Sequence, residues 1–195
     1  MTDPVKVTVI CGSLRKGSYN GALARLAPKL APAGILMTPA PPLDAIPLYN
    51  FDMHSSTGIP GPVKDLGAAI SAADGVLICS PEYNWSIPGV LKNAIDWISR
   101  LQPVPFAGKP VALQSASGGM LGGARMQYHL RQSLTSIDAL MFGKPEVFVT
   151  FAAQKFDAAT LELKDQGATD LIRQQFASFE TFIRKQIGSR SEASR

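Results

Sequence analysis

The sequence is short of the residues that would commit it to several common chemistries. Cys11, Cys79, His54 and His129 are its only cysteines and histidines in 195 residues. None sits in a CxxC pair or at metal-ligand spacing, so no zinc site, cluster or dithiol motif is expected, and no metal is assigned. The two cysteines close apolar runs and read as small buried hydrophobes rather than as a redox pair. No apolar run approaches the ~20 residues that cross a bilayer, which argues against a membrane protein. Met1-Thr2-Asp3-Pro4 lacks the basic and apolar segments of a signal peptide, so the expected location is cytoplasmic. Charge of one sign is scarce too. The 19 Lys and Arg against 15 Asp and Glu leave +4, spread rather than striped, and no nucleic-acid partner is expected. A mild positive balance suits small anions, such as phosphorylated cofactors or an oxyanion substrate.

What is present is an apolar content of 46%, enough to exclude disorder and to bury one core in a single domain over residues 1–195. Apolar β-branched runs alternate with helical patterns, which predicts a parallel sheet covered on both faces. The candidate strands are Val5–Cys11, Ile35–Thr38, Gly75–Cys79, Pro110–Ser115 and Glu146–Thr150. The candidate helices are Asn20–Leu30, Pro62–Ala73, Gly89–Leu101, Gly123–Ala139 and Ala168–Ile187. The last carries Leu171, Ile172, Phe176, Phe179 and Ile183 as a core-facing stripe. The polar tail, about residues 188–195, is expected to fray. The Pro-rich stretch from Pro39 to Pro62 is too long for a plain connector, and Tyr49 and Phe51 within it argue for a role. The order of elements fits an α/β, flavodoxin-like three-layer sandwich with a five-stranded parallel sheet of order 2-1-3-4-5. In such sheets ligands sit beyond the carboxyl ends of the strands.

Three loops at that edge carry chemistry. After the first strand, Gly12 permits a tight turn, and Ser13, Ser18 and Asn20 offer short polar side chains. Arg15 adds a cation, and the following helix points free N–H groups at the same spot. Helix capping alone would account for Ser18 and Asn20 but not for the whole cluster. Gly12 and Gly17 have Walker A spacing without its lysine, and no G-x-G-x-x-G is present, so a monophosphate remains. After the third strand, Ser80–Gly89 holds two prolines with Tyr83 and Trp85, groups that can edge and cover a flat heterocycle. Glu82 reads as a loop-organising residue rather than a proton shuttle, and Lys92, Asn93 and Asp96 as shaping the loop and subunit surface. After the fourth strand, the Gly-rich run from Ser117 to Gly123 allows close backbone approach and N–H dipoles at a ring. A mononucleotide cofactor follows, and flavin fits it best.

The patterns G-S-L-R-x-x-S-x-N, P-E-Y-N-x-S-x-P-G-x-L-K-N-A-I-D-W and S-x-S-G-G…G-G-x-R together resemble the NAD(P)H-dependent FMN reductase family. Within it the chain is most similar to the soluble bacterial quinone and chromate reductases, over Val5 to about Phe151. The resemblance implies non-covalent FMN, with Ser13, Leu14, Arg15, Ser18 and Asn20 around its phosphate and ribityl chain. It implies Pro81, Glu82, Tyr83 and Asn84 along the isoalloxazine and Ser117 and Gly118 near its far edge. It also implies a homo-oligomer, dimer or tetramer, with Arg125, Tyr128 and Glu146 in a polar network joining subunits.

The expected activity is therefore hydride transfer from NADH or NADPH through FMN to a small acceptor. No residue of the chain is assigned a catalytic role, because the cofactor carries the chemistry. Quinones are the expected acceptors, with chromate or other oxidised anions as alternatives, and Tyr49–Met53 is expected to close partly over the flavin. The competing readings are a flavodoxin-type electron carrier and a flavin-binding partner module without turnover. The basic balance and Arg15 argue against the carrier, since small carriers dock through acidic surfaces.

Overall fold

The computed structural model describes residues 3–193, with side chains placed as far as Ser189. The elements run β1 (Val5–Cys11), α1 (Tyr19–Leu30), β2 (Ile35–Pro39), α2 (Phe51–Thr57), α3 (Gly61–Ala72), β3 (Gly75–Cys79), α4 (Gly89–Ile98), β4 (Pro110–Ala116), α5 (Ala124–Thr135), β5 (Leu140–Met141), β6 (Val147–Val149), α6 (Ala152–Lys155) and α7 (Gln166–Ala193). All strand pairs are parallel, in the order β2-β1-β3-β4-β5, with β6 also on β4.

Alternation along β1 divides the molecule into layers. Val5, Val7 and Val9 face one core with Leu23 and Ala27 of α1 and Ile172, Phe176, Phe179 and Ile183 of α7. Ile10 faces the other, with Val63, Leu66 and Ile70 of α3, Trp97 of α4 and Leu130 of α5. β3 is buried along its whole length, which explains its unbroken apolar run. The flavodoxin-like sandwich and its strand order are as the sequence predicts. No helix among the described residues is long and apolar enough to cross a membrane.

The fifth strand differs from expectation. In place of a single strand at Glu146–Thr150, two short strands share the edge of β4. Leu140 and Met141 pair with Pro110 and Val111, and Val147–Val149 pair with Gln114–Ala116. Between them lies Pro145, which has no N–H to donate. Side chains fill the gap in the ladder. Gln175 of α7 donates to the carbonyls of Pro145 (2.9 Å) and Leu113 (3.2 Å) and accepts from Gln114 at 2.9 Å, while Arg131 donates to the Phe142 carbonyl at 2.8 Å.

The Pro-rich stretch is ordered. Asn93 and Trp97 of α4 donate to the Pro47 carbonyl at 2.9 and 2.8 Å, and Asn93 accepts from the Tyr49 N–H at 2.8 Å. It also contains α2, capped by Asn50, which the sequence reading left unassigned. The last helix extends past Ile187 to Ala193, so the tail expected to fray is helical through Ala193, and its final two residues lie outside the described residues. Replacing Gln175 by Leu should strand buried polar groups on β4 and Pro145. The expected loss is about 1–3 kcal/mol, read as a Tm drop of ~2–4 °C per kcal/mol in a chain of this size. An unchanged Tm would show that the gap does not need this brace.

Candidate functional site

The ladder runs on past β1 and β3, so that three loops leave the same rim side by side. The Gly12 N–H donates to the Cys79 carbonyl at 2.9 Å, and the Ser80 N–H to the Gln114 carbonyl at 3.0 Å. A Cβ at Gly12 would stand 2.5 Å from Ser80 Oγ and 2.8 Å from Ser80 Cβ, so only glycine allows this approach.

In the first loop, Ser18 caps α1 and accepts from the Gly21 N–H at 3.2 Å, and its own N–H donates to the Arg15 carbonyl at 3.1 Å. The first turn of α1 contains no acidic residue, so its N–H groups and dipole face the loop uncompensated. Ser13 accepts from the Arg15 N–H at 3.4 Å. Arg15 and Lys16 are exposed, as is Leu14. Asn20 reaches across the rim to the end of β4. Its amide donates to the Ala116 carbonyl at 2.9 Å and accepts from the Ala116 N–H at 2.8 Å, both buried. The side chain is thus a brace between the first loop and the third.

In the second loop, Tyr83 and Ser86 exchange backbone hydrogen bonds of 3.1 and 2.9 Å around Asn84 (φ 49°) and Trp85 (φ 66°). Two non-glycine residues in the left-handed region require surroundings that impose it. α5 supplies them. The Arg125 guanidinium lies 4.2 Å over the Trp85 ring, and His129 Nδ1 lies 3.0 Å from Ser86 Oγ. Glu82 accepts from the Met126 N–H at 3.1 Å and sits 3.6 Å from Arg125. The helix's own N-cap, Gly123, has no side chain to offer, so Glu82 caps α5 from a different loop. That agrees with its reading as an organising residue. Tyr83 and Trp85 keep their rings largely exposed at the rim.

In the third loop, Gly123 takes φ 91°, and a Cβ there would meet Ser115 Cβ at 2.7 Å. Ser115 donates to the Gly122 carbonyl at 2.6 Å and accepts from Gln127 at 2.8 Å. Gln127 also donates to the Val147 carbonyl at 2.9 Å, tying α5 to β6. Gly118 faces open space, and the Ser117 hydroxyl accepts from the Gly119 N–H at 3.3 Å. Sequence reasoning missed Ser115 and Gln127. Their only signal was polarity inside otherwise apolar strand and helix faces.

The trio Arg125, Tyr128 and Glu146 does not form one network within the chain. Arg125 serves the second loop, Tyr128 is half exposed, and Glu146 pairs with Arg131 at 3.4 Å. Asn93 orders the 47–49 segment, and Lys92 and Asp96 pair with each other at 2.7 Å. Tyr49 packs edge-on against Trp97 with centroids 4.9 Å apart. Both cysteines are free. Burial pushes both thiols above their ordinary value near 9.0; for Cys11 a hydrogen bond to the Ser13 carbonyl and the nearby Arg25 partly offset it.

Comparison with known proteins agrees with this geometry. A family model described as NADPH-dependent FMN reductase matches residues 5–154. The chain is 48% identical to a quinone reductase of Escherichia coli over 185 residues, 95% of this chain and 98% of that one. It is 46% identical to an NAD(P)H-dependent FMN reductase of Pseudomonas aeruginosa over 188 residues, 96% of this chain and all of that one. Among solved structures it is similar to FerB, a flavoenzyme NAD(P)H:(acceptor) oxidoreductase from Paracoccus denitrificans. The TM-score is 0.82 and the identity 32%, over 93% of this chain and 98% of that one.

Removing the carboxylate in Glu82→Ala should uncap α5 and release the second loop, at a cost of about 0.5–2 kcal/mol. Glu82→Gln keeps an acceptor and should lose less; equal stability of all three proteins in urea would contradict the cap. Native Cys79 should resist iodoacetamide at mildly alkaline pH while Cys11 reacts slowly, and rapid labelling of Cys79 would contradict its burial. The folded thiols hold their protons where unfolded ones ionise, so their contribution is present below pH 9.0 and lost as pH rises beyond it. Urea midpoints should therefore fall above that pH.

Proposed function

The chain belongs to the NADPH-dependent FMN reductase family, and from that premise we propose that it is an FMN-containing NAD(P)H:quinone oxidoreductase. The residues present fit the cofactor. A helix N-terminus without a first-turn acid, flanked by Arg15, suits a monophosphate, and glycine at 118 leaves room where a ring edge would approach. The observation that carries the reading is the bracing of the rim, the first loop to the third through Asn20 and Ala116 and the second loop to α5 through Glu82 and Met126.

Bound FMN would supply the redox chemistry, taking two electrons and a proton from the reduced nicotinamide and passing them to a quinone, which takes a second proton from water and leaves as quinol. The chain's own residues position and shield. Ser13, Leu14, Arg15 and Ser18 hold the phosphate end, while Asn20 fixes the distance to the third loop. Pro81, Glu82, Tyr83 and Asn84 would border the ring along one edge, and the Ser117 hydroxyl and the open backbone of Gly118 would border the other. Exposed Leu14, Trp85 and Met120 are apolar surfaces able to exclude water from the ring. Chromate or another metal oxyanion as acceptor is a narrower extension, supported by the surplus of cations. Assembly into dimers or tetramers through a surface bearing Arg125, Tyr128 and Glu146 is supported by the exposed ring of Tyr128, three residues after Arg125 on α5.

Anaerobic mixing with NADPH should bleach the flavin band, and benzoquinone should restore it, with parallel double-reciprocal plots in steady state. A flavin that neither nicotinamide reduces would reject the reading. Arg15→Ala should weaken FMN binding by about 1.5–3 kcal/mol, roughly one to two powers of ten in Kd. Unchanged affinity by fluorescence titration would remove Arg15 from the site.

A further inference from the structure

A well-formed cavity lies at the flank of the rim and shares Ser13, Leu14 and Arg15 with the first loop. It is a groove of about 510 Å³ between the flank of α1 and the segment that follows β2, and it meets the first loop at Arg15 and Lys16. That volume falls in the range of sites for small organic ligands. One wall is built from Pro39, Pro41 and Pro42, with Pro28 across from them. Prolines give a rigid, apolar surface without N–H groups, suited to one face of a planar heterocycle.

The polar lining has the opposite character. Arg15, Lys16 and Arg25 enter the groove against one carboxylate, Asp44, which leaves two positive charges over. None of the three cations belongs to an ion pair among the described residues. Arg25 is placed tightly. Its guanidinium lies back along the first turn of α1, 3.3 Å from where a Cβ on Gly21 would stand, and close enough to Cys11 to act on its thiol. A cation folded toward a helix N-terminus works against the dipole, and α1 has no first-turn acid to relieve it. The arrangement is compensated only when an anion arrives. A cofactor monophosphate at the first loop would engage Arg15 and leave Lys16 and Arg25 unanswered.

We propose that this groove holds the 2′-phosphoadenosine end of NADPH, with Lys16 and Arg25 pairing with the 2′-phosphate and the proline wall covering the adenine. The proposal rests on the reading of the chain as an NAD(P)H oxidoreductase. That donor joins a flat base, a phosphate and a pyrophosphate to its reactive ring, and the groove opens beside the first loop, at the phosphate end of the rim, so that an extended dinucleotide would have to run from there to the ring. The groove accordingly favours NADPH over NADH.

The test uses the FMN-loaded protein and adenosine 2′,5′-bisphosphate, which carries no reducible or reducing ring. Calorimetry should show binding to the wild type, weakened about tenfold or more in Arg25→Ala, partly restored in Arg25→Lys and unchanged in Lys29→Ala, a cation on the same helix outside the groove. In steady state, Arg25→Ala should raise KM for NADPH by a similar factor, with kcat retained and KM for NADH little altered. Arg25 is exposed, so the variant is expected to fold. Absence of binding to the wild type, indifference to Arg25→Ala, an equal rise in both KM values, or a parallel fall in FMN affinity would each overturn the proposal. If the protein oxidises neither nucleotide, the oxidoreductase reading fails, and the calorimetry still decides whether the groove takes a phosphorylated adenosine.

Discussion

Asn20 pairs with Ala116 as a neighbouring strand would, donating to its carbonyl and accepting from its N–H. That pair of hydrogen bonds joins the start of α1 to the end of β4 across the mouth of the sheet, and the geometry of the rim follows from it. The first loop can then present its N–H groups at a fixed distance from the third. Glu82 does the equivalent work between the second loop and α5. The strained turn at Asn84 and Trp85 persists because Arg125 and His129 hold it from the same helix. A cradle braced in this way loses little conformational entropy when its ligand arrives, which leaves more of the contact energy for affinity and orientation.

The parts of the molecule that were legible in the sequence are those set by local pattern. β1 and β3 announce themselves as apolar runs, α7 by a stripe at helical spacing, and the phosphate loop by glycine, serine and arginine in short compass. The parts that were not legible depend on partners far along the chain. Asn20 reads as a ligand or a cap until Ala116, 96 residues away, is seen beside it. Arg125 reads as part of a subunit-joining network until the second loop is seen to fold against it. The division of the fifth strand turns on Pro145 and on a glutamine from α7 that no periodicity connects to it. The short, largely polar α2 follows a segment that α4 pins at Pro47 and Tyr49, and its His54 ring packs against Trp97 of that helix.

Charge gives the rim and the groove a common logic. An overall balance of only +4 is unremarkable for a chain of this length, but Arg15, Lys16 and Arg25 gather at one end of α1 without acidic partners. Some cations elsewhere are paired, Arg125 with Glu82, Arg131 with Glu146 and Arg184 with Glu180. Among the described residues the three at the groove are not, which leaves positive charge beside the loop where phosphorylated ligands are required. The protein's redox work falls to the cofactor, and the chain contributes placement, shielding and field.

The central claim is that three loops form one preformed cradle for FMN. Hydrogen–deuterium exchange of the apo and FMN-loaded protein tests it most directly. The account predicts added protection in residues 12–20, 80–89 and 115–123 together, with the strands beneath them unchanged. Protection confined to one loop, or appearing away from the carboxyl ends of β1, β3 and β4, would contradict it.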